Sequence, residues 1–221
     1  MSFFERYVNS KFYHFTDLFF KILLLNLYMI LTTVIGLVIF GLPVALSAGA
    51  LTLNTILKHT STEVTDTYFK ILKKTFKQTW LKGIIYELII VVLIFNLMFF
   101  YQGIEPINYL FVIALFITLW GLIFTLVAFY HGMILSSIYE VKFIAILKHS
   151  YLLTIGYAMR SFLSVLVISL FILLMIWIPI LGILLGFSGG LWLVFLLLKK
   201  PYVTIETLKV NLEDKTNTYL Q

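Results

Sequence analysis

The residue with the clearest capacity for chemistry is Glu87, which lies in the apolar stretch GIIYELIIVV at residues 83–92. A carboxylate is costly to bury in a membrane, so Glu87 predicts a proton or cation site, or a counter-ion in a cavity. His131, in the stretch AFYHGMIL, belongs to the one residue type that changes charge near neutral pH. The alternatives are structural: Glu87 pairs with Lys82 or Arg160, or is solvated at a helix end, and His131 is a hydrogen-bonded histidine at the membrane interface.

Three asparagines, Asn26, Asn54 and Asn96, lie in or near other apolar segments. One interpretation is that their amides hydrogen-bond between helices, which stabilises packing by roughly 1 kcal/mol each. The other interpretation is that they line a polar cavity. Convergence of the three with Glu87 in the folded bundle would favour the cavity.

Several classes of enzyme and metal protein are excluded by what the sequence lacks. It has no cysteine, which rules out disulfides, cysteine-ligated metals and thiol nucleophiles. His14, His59 and His149 do not have a spacing typical of metal ligands. A phosphate-binding glycine loop, a nucleophile elbow and an HExxH motif are also absent. We therefore predict no enzymatic activity, no bound metal and no cofactor.

The elements that hold these polar groups are strongly apolar. Of the 221 residues, 62% are hydrophobic and 12% are charged, whereas about a quarter of a soluble domain is charged. Lipid must cover much of such a surface. We predict an all-α, polytopic helical bundle that forms one integral domain of the cell membrane over residues 1–221. The start, MSFFERYVNSKFYHF, lacks the pattern of a cleavable signal peptide, so we expect the chain to be retained whole.

Two long runs, residues 22–57 and 161–198, contain no Asp, Glu, Lys or Arg. Each is too long for one crossing, which needs about 20 residues. Each also contains a proline near its middle, Pro43 or Pro179, and proline favours the start of a helix. Both runs are therefore predicted to be helical hairpins. With two further apolar stretches they give six spans, at approximately 18–40, 43–57, 83–101, 107–130, 161–178 and 181–198.

The span at 43–57 covers only about 22 Å, so a re-entrant segment is the alternative there. The distribution of positive charge favours six crossings. In that arrangement the inner segments are 1–21, 58–82, 131–160 and 199–221, and they contain all 16 Lys and Arg residues. We therefore predict that both termini are cytoplasmic.

The stretch YFKILKKTFKQTWLKG, residues 68–83, is the most basic part of the chain. At helical period its lysines fall on one face, and the opposite face carries Tyr68, Ile71, Leu72, Thr75, Phe76 and Thr79. This pattern predicts an amphipathic helix at 66–82 on the inner leaflet, with similar interfacial helices at 3–16 and 141–156.

Each lysine near an anionic leaflet contributes about 1 kcal/mol to membrane binding. Nucleic acid is not predicted as a partner, because the lysines lie between two spans. The residues predicted to contact the membrane surface or a partner protein are Lys70, Lys73, Lys74, Lys77, Lys82 and Lys148.

The segment ILKKTFKQT at 71–79 has an echo, ILKHSYLLT, at 146–154. Both copies follow an apolar span and lead into another. The pattern indicates an internal duplication of the kind found in transporter folds. The alternative is that two similar helix starts require similar residues.

Gly182, Gly186 and Gly190 form a GxxxGxxxG face in the last span. Glycine lets helix backbones approach closely. The face is interpreted either as packing within one bundle or as the seam of a homodimer.

The opening FFERYVNSKFYHFTDLFFKILLLNLYMILTTVIGLVIFGLPVAL resembles the YesL family of bacterial membrane proteins, as do the lysine-rich stretch at 68–83 and its echo. The specific part of this resemblance is the N-terminal third, with Asn26, Gly36 and the GLPVAL turn. YesL-like proteins are of unknown function and are often encoded near carbohydrate ABC transporters and two-component systems. The resemblance does not identify any catalytic or ligand-binding residue in this chain.

The resemblance implies an accessory or regulatory component of carbohydrate uptake, with an ABC permease or a sensor kinase as partner. The alternative is a small secondary transporter or channel that acts as a homo-oligomer. Glu87, the short second span and the echo motivate that alternative. An enzyme acting on lipid-linked substrates lacks any catalytic constellation in the sequence.

Overall fold

A computed structural model of the protein describes residues 11–59, 62–104, 109–138 and 142–204. These ranges contain helices and short connections without a strand, in agreement with the all-α prediction. The helices are α1 (Lys11–Ile35), α2 (Gly41–Lys58), α3 (Val64–Gln102), α4 (Tyr109–Ile138), α5 (Phe143–Gly156), α6 (Ala158–Trp177) and α7 (Pro179–Thr204). The predicted interfacial helix at 3–16 lies mostly outside the described residues, and residues 11–16 form the start of α1.

Four of these helices are long and apolar enough to cross a membrane: α1 from Phe12, α3, α4 to Ser137, and α6. Two shorter apolar helices are α5 and the Pro179–Val194 part of α7. A helical membrane protein is thus supported by length and composition, whereas the count of six spans is not confirmed. The cytoplasmic placement of both termini stays a prediction.

Both predicted helical hairpins are present. In the first, α1 ends at Ile35, a turn covers residues 36–40, and Pro43 lies in the first turn of α2. In the second, Ile178 alone separates α6 from α7, and Pro179 is the first residue of α7. Proline suits these positions because the first turn of a helix has no internal acceptor for its backbone N–H groups.

The predicted interfacial helix at 66–82 and the predicted span at 83–101 are not separate elements. They form the single helix α3, whose 39 residues extend about 58 Å. The segment contains no proline, and its one glycine, Gly83, is packed against Pro43. A change from basic to apolar side chains does not interrupt the backbone hydrogen bonds, so the helix continues through the junction.

The two halves of α3 pack against different partners. The first half lies beside the α1–α2 hairpin, where the rings of Phe40 and Trp80 are 6.3 Å apart. The second half lies antiparallel to α4, with Phe99 beside Phe111 and Tyr86 beside Gly132.

These contacts disagree with the six-span arrangement. That arrangement places residues 40–43 at an outer turn and residues 80–83 at the inner end of the third span. About 30 Å of hydrocarbon would then separate the two sites. In the structure Phe40 contacts the ring of Trp80, and Pro43 contacts Gly83. The turn of the α1–α2 hairpin therefore lies level with the middle of α3.

The main core lies among α1, α2 and the first half of α3, and residues of α4, α5 and α7 complete it. Leu25, Met29, Leu51, Leu53 and Ile71 are completely buried there. A second, smaller cluster joins the middle of α3 to α4 and consists of Tyr86, Ala128, Phe129 and Met133. These two clusters fix the orientation of α3 about its own axis.

The echo at 71–79 and 146–154 extends beyond sequence. Thr75 and Ser150 are completely buried. Thr79 and Thr154 are also buried, with exposed fractions of at most 1%. The hydroxyl of Thr79 donates to the Thr75 carbonyl at 2.9 Å, and that of Thr154 donates to the Ser150 carbonyl at 2.9 Å. The second copy lies in α5, which is separated from α6 only at Tyr157. Hydroxyl bonds of this kind also occur elsewhere in the bundle, as at Thr33 and Thr125, so the duplication stays a prediction beside the alternative of two similar helix starts.

Candidate functional site

Asn26 is completely buried between α1 and α7. Its Oδ1 accepts hydrogen bonds from the backbone N–H groups of Phe187 at 2.9 Å and Ser188 at 2.8 Å, and its Nδ2 donates to the Ile183 carbonyl. In a regular α-helix the Phe187 N–H would pair with the Ile183 carbonyl. The Asn26 amide therefore bridges a donor and an acceptor of α7, which is the interhelical packing role considered for the asparagines.

A further bond reinforces this junction, because the Ser188 hydroxyl donates to the Ile22 carbonyl at 2.9 Å. Helices α1 and α7 are thus joined by four hydrogen bonds. Both polar atoms of the Asn26 amide are thus bonded to the backbone of α7, which is a packing role and not the lining of a cavity.

Glu87 and His131 have different surroundings. Glu87 is half-buried on α3, and its Oε2 has no hydrogen-bond partner among the residues that the structure describes. His131 is completely buried on α4. The residue that joins α3 to α4 and α5 at this level is Tyr86, whose ring packs on Gly132 and whose hydroxyl lies 2.5 Å from Ser150 Oγ.

The other two asparagines also differ from each other. Asn54 is buried on α2, and its Nδ2 lacks a hydrogen-bond partner within the described ranges. Asn96 is exposed on the apolar second half of α3. The structure therefore does not bring Asn26, Asn96 and Glu87 into one polar site, and the convergence that would favour a cavity is not found.

A cleft lies near the start of α1 and the end of α2. It has a volume of about 160 Å³ and is lined by His14, Asp17, Leu18, Lys21, Ile56 and Leu57. A salt bridge of 2.7 Å between Lys21 and Asp17 crosses its polar side. Sites for small-molecule ligands usually enclose about 300–1,000 Å³, so this cleft is smaller than a typical site of that kind.

The lysines of α3 form a surface that faces away from the bundle. Lys70, Lys73, Lys74 and Lys77 are exposed, Lys82 is half-buried, and Lys148 is exposed on α5. We call the four exposed lysines of α3 the lysine face. The opposite side of the same helix is buried and consists of Val64, Thr67, Tyr68, Ile71, Thr75, Thr79, Gly83 and Tyr86.

Two tyrosine–threonine pairs hold this part of α3 against α1. The Tyr68 hydroxyl donates to Thr32 Oγ1 at 2.9 Å, and the Tyr28 hydroxyl lies 2.7 Å from Thr65 Oγ1. The rings of Tyr28 and Tyr68 stack with centroids 5.8 Å apart. Because α3 is fixed by this buried side, the lysine face has a defined position relative to the α1–α2 hairpin.

An aromatic row borders the lysine face. Phe76 and Trp80 stack with ring centroids 6.4 Å apart, and Trp80 in turn contacts Phe40 of the α1–α2 turn. Phe40 and Phe76 are both exposed. The row connects the lysine face with the turn.

The glycine face of α7 is occupied within the chain. Gly182 and Gly186 pack against Met175, and Gly190 packs against Phe171, both of which belong to α6. This is the packing interpretation, and the residues proposed for a homodimer seam are already covered by α6.

The sequence placed Tyr68 on the face opposite the lysines but did not indicate its bond to Thr32, and the pairing of Tyr86 with Ser150 was missed altogether. A signal was available in α3, where Thr67, Thr75 and Thr79 share one side of the helix. Threonine on the less basic side indicates contact with other helices, because a side that faces lipid would carry larger apolar residues.

A family model with the description "protein of unknown function, DUF624" matches residues 22–97. The matched part extends from α1 through most of α3, and thus includes Asn26, the α1–α2 turn and the lysine face. YesL-type proteins belong to this family. Comparison with curated proteins gives no match, and comparison with solved structures gives none. The chain is therefore similar, over this N-terminal part, to a family of proteins whose function is unknown.

Proposed function

We propose that this chain is an accessory or regulatory component of carbohydrate uptake that is embedded in the cell membrane and has no enzymatic activity. The resemblance to the YesL family suggests the process. The observation that carries the proposal is the lysine face of α3, which is exposed on a helix whose other side is fixed in the bundle. Such a surface is suited to docking and not to catalysis.

The distribution of the polar residues favours this function over that of a carrier. A carrier needs polar groups gathered around a substrate path near the middle of the membrane. Here the Asn26 amide is engaged with α7, and Asn96 lies on the exposed side of α3. The carrier alternative also needs a homo-oligomer, and the glycine face expected to form its seam is filled by Met175 and Phe171.

The partners we propose are the anionic inner leaflet, reached by the lysine face together with Lys82 and Lys148, and an ABC permease or a sensor kinase. The permease or kinase is the component whose activity this chain would regulate. No nucleic-acid partner is proposed.

The test is recovery of partners from native membranes. The full chain, tagged and expressed at its natural level, is cross-linked in membranes, solubilised and analysed by mass spectrometry. We expect a carbohydrate ABC permease or a sensor kinase to be enriched relative to an unrelated membrane protein with the same tag. Uptake of a sugar into liposomes that contain this chain alone would contradict the proposal.

A further inference from the structure

The turn between α1 and α2 exposes four consecutive apolar side chains, those of Leu37, Val38, Ile39 and Phe40. Leu37 has φ 53° and Val38 has φ 64°, in the left-handed region that residues other than glycine rarely adopt, and β-branched residues such as Val38 least of all. The turn is nevertheless closed by short backbone bonds, including Val38 N–H to the Thr33 carbonyl at 2.8 Å. A strained backbone that holds large apolar groups outward suggests that these groups have a binding role.

The exposed turn lies beside the basic part of α3. Phe40 contacts Trp80, and Trp80 stacks on Phe76. Lys73 and Lys77 are exposed and lie on adjacent turns of the same helix, three residues before Phe76 and Trp80 respectively. Residues at this spacing are neighbours on a helix surface, so apolar and cationic groups form one continuous patch.

This patch lies where the character of α3 changes. All the lysines of α3 precede Gly83, whereas residues 84–102 contain Glu87 as their one charged residue. The contact of Gly83 with Pro43 places the α1–α2 turn at that boundary. The four exposed apolar side chains of the turn therefore lie beside the last lysines of α3.

We propose that the α1–α2 turn, Lys73 and Lys77 form one binding site for an anionic phospholipid. The two ammonium groups contact the headgroup phosphate, and Leu37, Val38, Ile39 and Phe40 enter the layer of acyl chains. This inference rests on the contact of the lysine face with the anionic leaflet in the proposed function, and it adds the α1–α2 turn as the part of the site that binds the acyl chains.

The combination of groups favours a lipid over an acidic protein. An acidic protein would complement the lysines but would leave the four apolar side chains of the turn in water. A phospholipid satisfies both parts, because it offers a negative headgroup directly above hydrocarbon. The stacked pair of Phe76 and Trp80 then lies at the level where aromatic side chains are enriched in membrane proteins.

The natural absence of cysteine allows a direct test with a single fluorophore. Val38→Cys is labelled with bimane in the full chain and reconstituted into vesicles of phosphatidylcholine and phosphatidylglycerol, with brominated acyl chains on one lipid at a time. We expect brominated phosphatidylglycerol to quench more strongly than brominated phosphatidylcholine at the same mole fraction. The lipid preference should fall by roughly fivefold for each of Lys73→Gln and Lys77→Gln.

The matched control is bimane at Ile94→Cys, on the exposed apolar half of α3, which both brominated lipids should quench equally. Ile39→Cys repeats the measurement at the turn in case Val38→Cys does not fold. Equal quenching by the two lipids at the turn, or a preference that survives both lysine substitutions, would overturn the inference and favour an acidic protein. Neither result bears on recovery of a permease or kinase, so failure of this site and failure of the proposed function are distinguishable.

Discussion

Gly83 and Pro43 are packed so closely that a side chain on Gly83 would overlap the proline ring. This contact joins the turn end of the α1–α2 hairpin to the middle of α3. The part of α3 before Gly83 is basic, and the part after it is apolar. The contact therefore places the turn end of the hairpin next to the lysine face. The position of the docking surface therefore depends on a glycine.

Gly83→Ala should lower the free energy of unfolding by about 1–3 kcal/mol, because the added methyl group forces α3 and α2 apart. The measurement is denaturant unfolding of the purified chain in micelles. Gly121→Ala is the matched control, since its Cβ would meet only Leu93 at 3.9 Å. That substitution should be neutral or should stabilise by up to about 1 kcal/mol through helix propensity. Equal effects of the two substitutions would contradict the close contact.

Asn26→Leu should destabilise the chain by about 1–2 kcal/mol. It removes three hydrogen bonds between α1 and α7, although Phe187 N–H can then pair with the Ile183 carbonyl in its own helix. Asn96→Leu, at an exposed position of α3, should change stability by less than about 0.5 kcal/mol. Both values come from the same denaturant titration in micelles. A larger loss of stability for Asn96→Leu than for Asn26→Leu would refute the hydrogen bonding of the Asn26 amide to α7.

Val38→Gly should stabilise the chain by about 1 kcal/mol, because glycine adopts positive φ without strain. Leu31→Gly supplies the control. Leu31 is also exposed but lies within helix α1, where glycine should destabilise by about 1 kcal/mol. The sign of the two changes is the result to compare, and destabilisation by both would show that Val38 is not strained.

The two faces of the first half of α3 could be predicted from sequence, because lysines and threonines recur at helical spacing. What the threonine face contacts could not be predicted, since an apolar side fits either lipid or another helix. Hydropathy also placed a boundary at residue 83 where the helix has none. Backbone hydrogen bonding depends on the absence of proline there and not on side-chain polarity.

The partner of Asn26 could not be predicted from sequence patterns, for another reason. Phe187 lies 161 residues away, and the groups that Asn26 binds are backbone atoms, which every residue of α7 possesses. The hairpins, in contrast, were predictable because Pro43 and Pro179 mark helix starts locally. The glycine face of α7 was recognised from its spacing, but only the structure shows that α6 packs against it.

The measurement that tests the central claim most directly is cross-linking of Phe40→Cys to Trp80→Cys in native membranes, read by mass spectrometry. The claim is that the α1–α2 turn and the lysine face form one surface. The ring centroids of Phe40 and Trp80 are 6.3 Å apart, which is a contact between long side chains, so we predict efficient joining of the two cysteines by a thiol-reactive cross-linker with a spacer of about 10 Å, longer than the reach of a disulfide.

The comparison pair is Phe40→Cys with Tyr101→Cys, near the far end of α3. Tyr101 is 21 residues beyond Trp80 on the same helix, or about 32 Å, and we predict no cross-link. The six-span arrangement places residues 40 and 101 together on the outer side and residue 80 on the inner side. A 40–101 cross-link without a 40–80 cross-link would contradict the account.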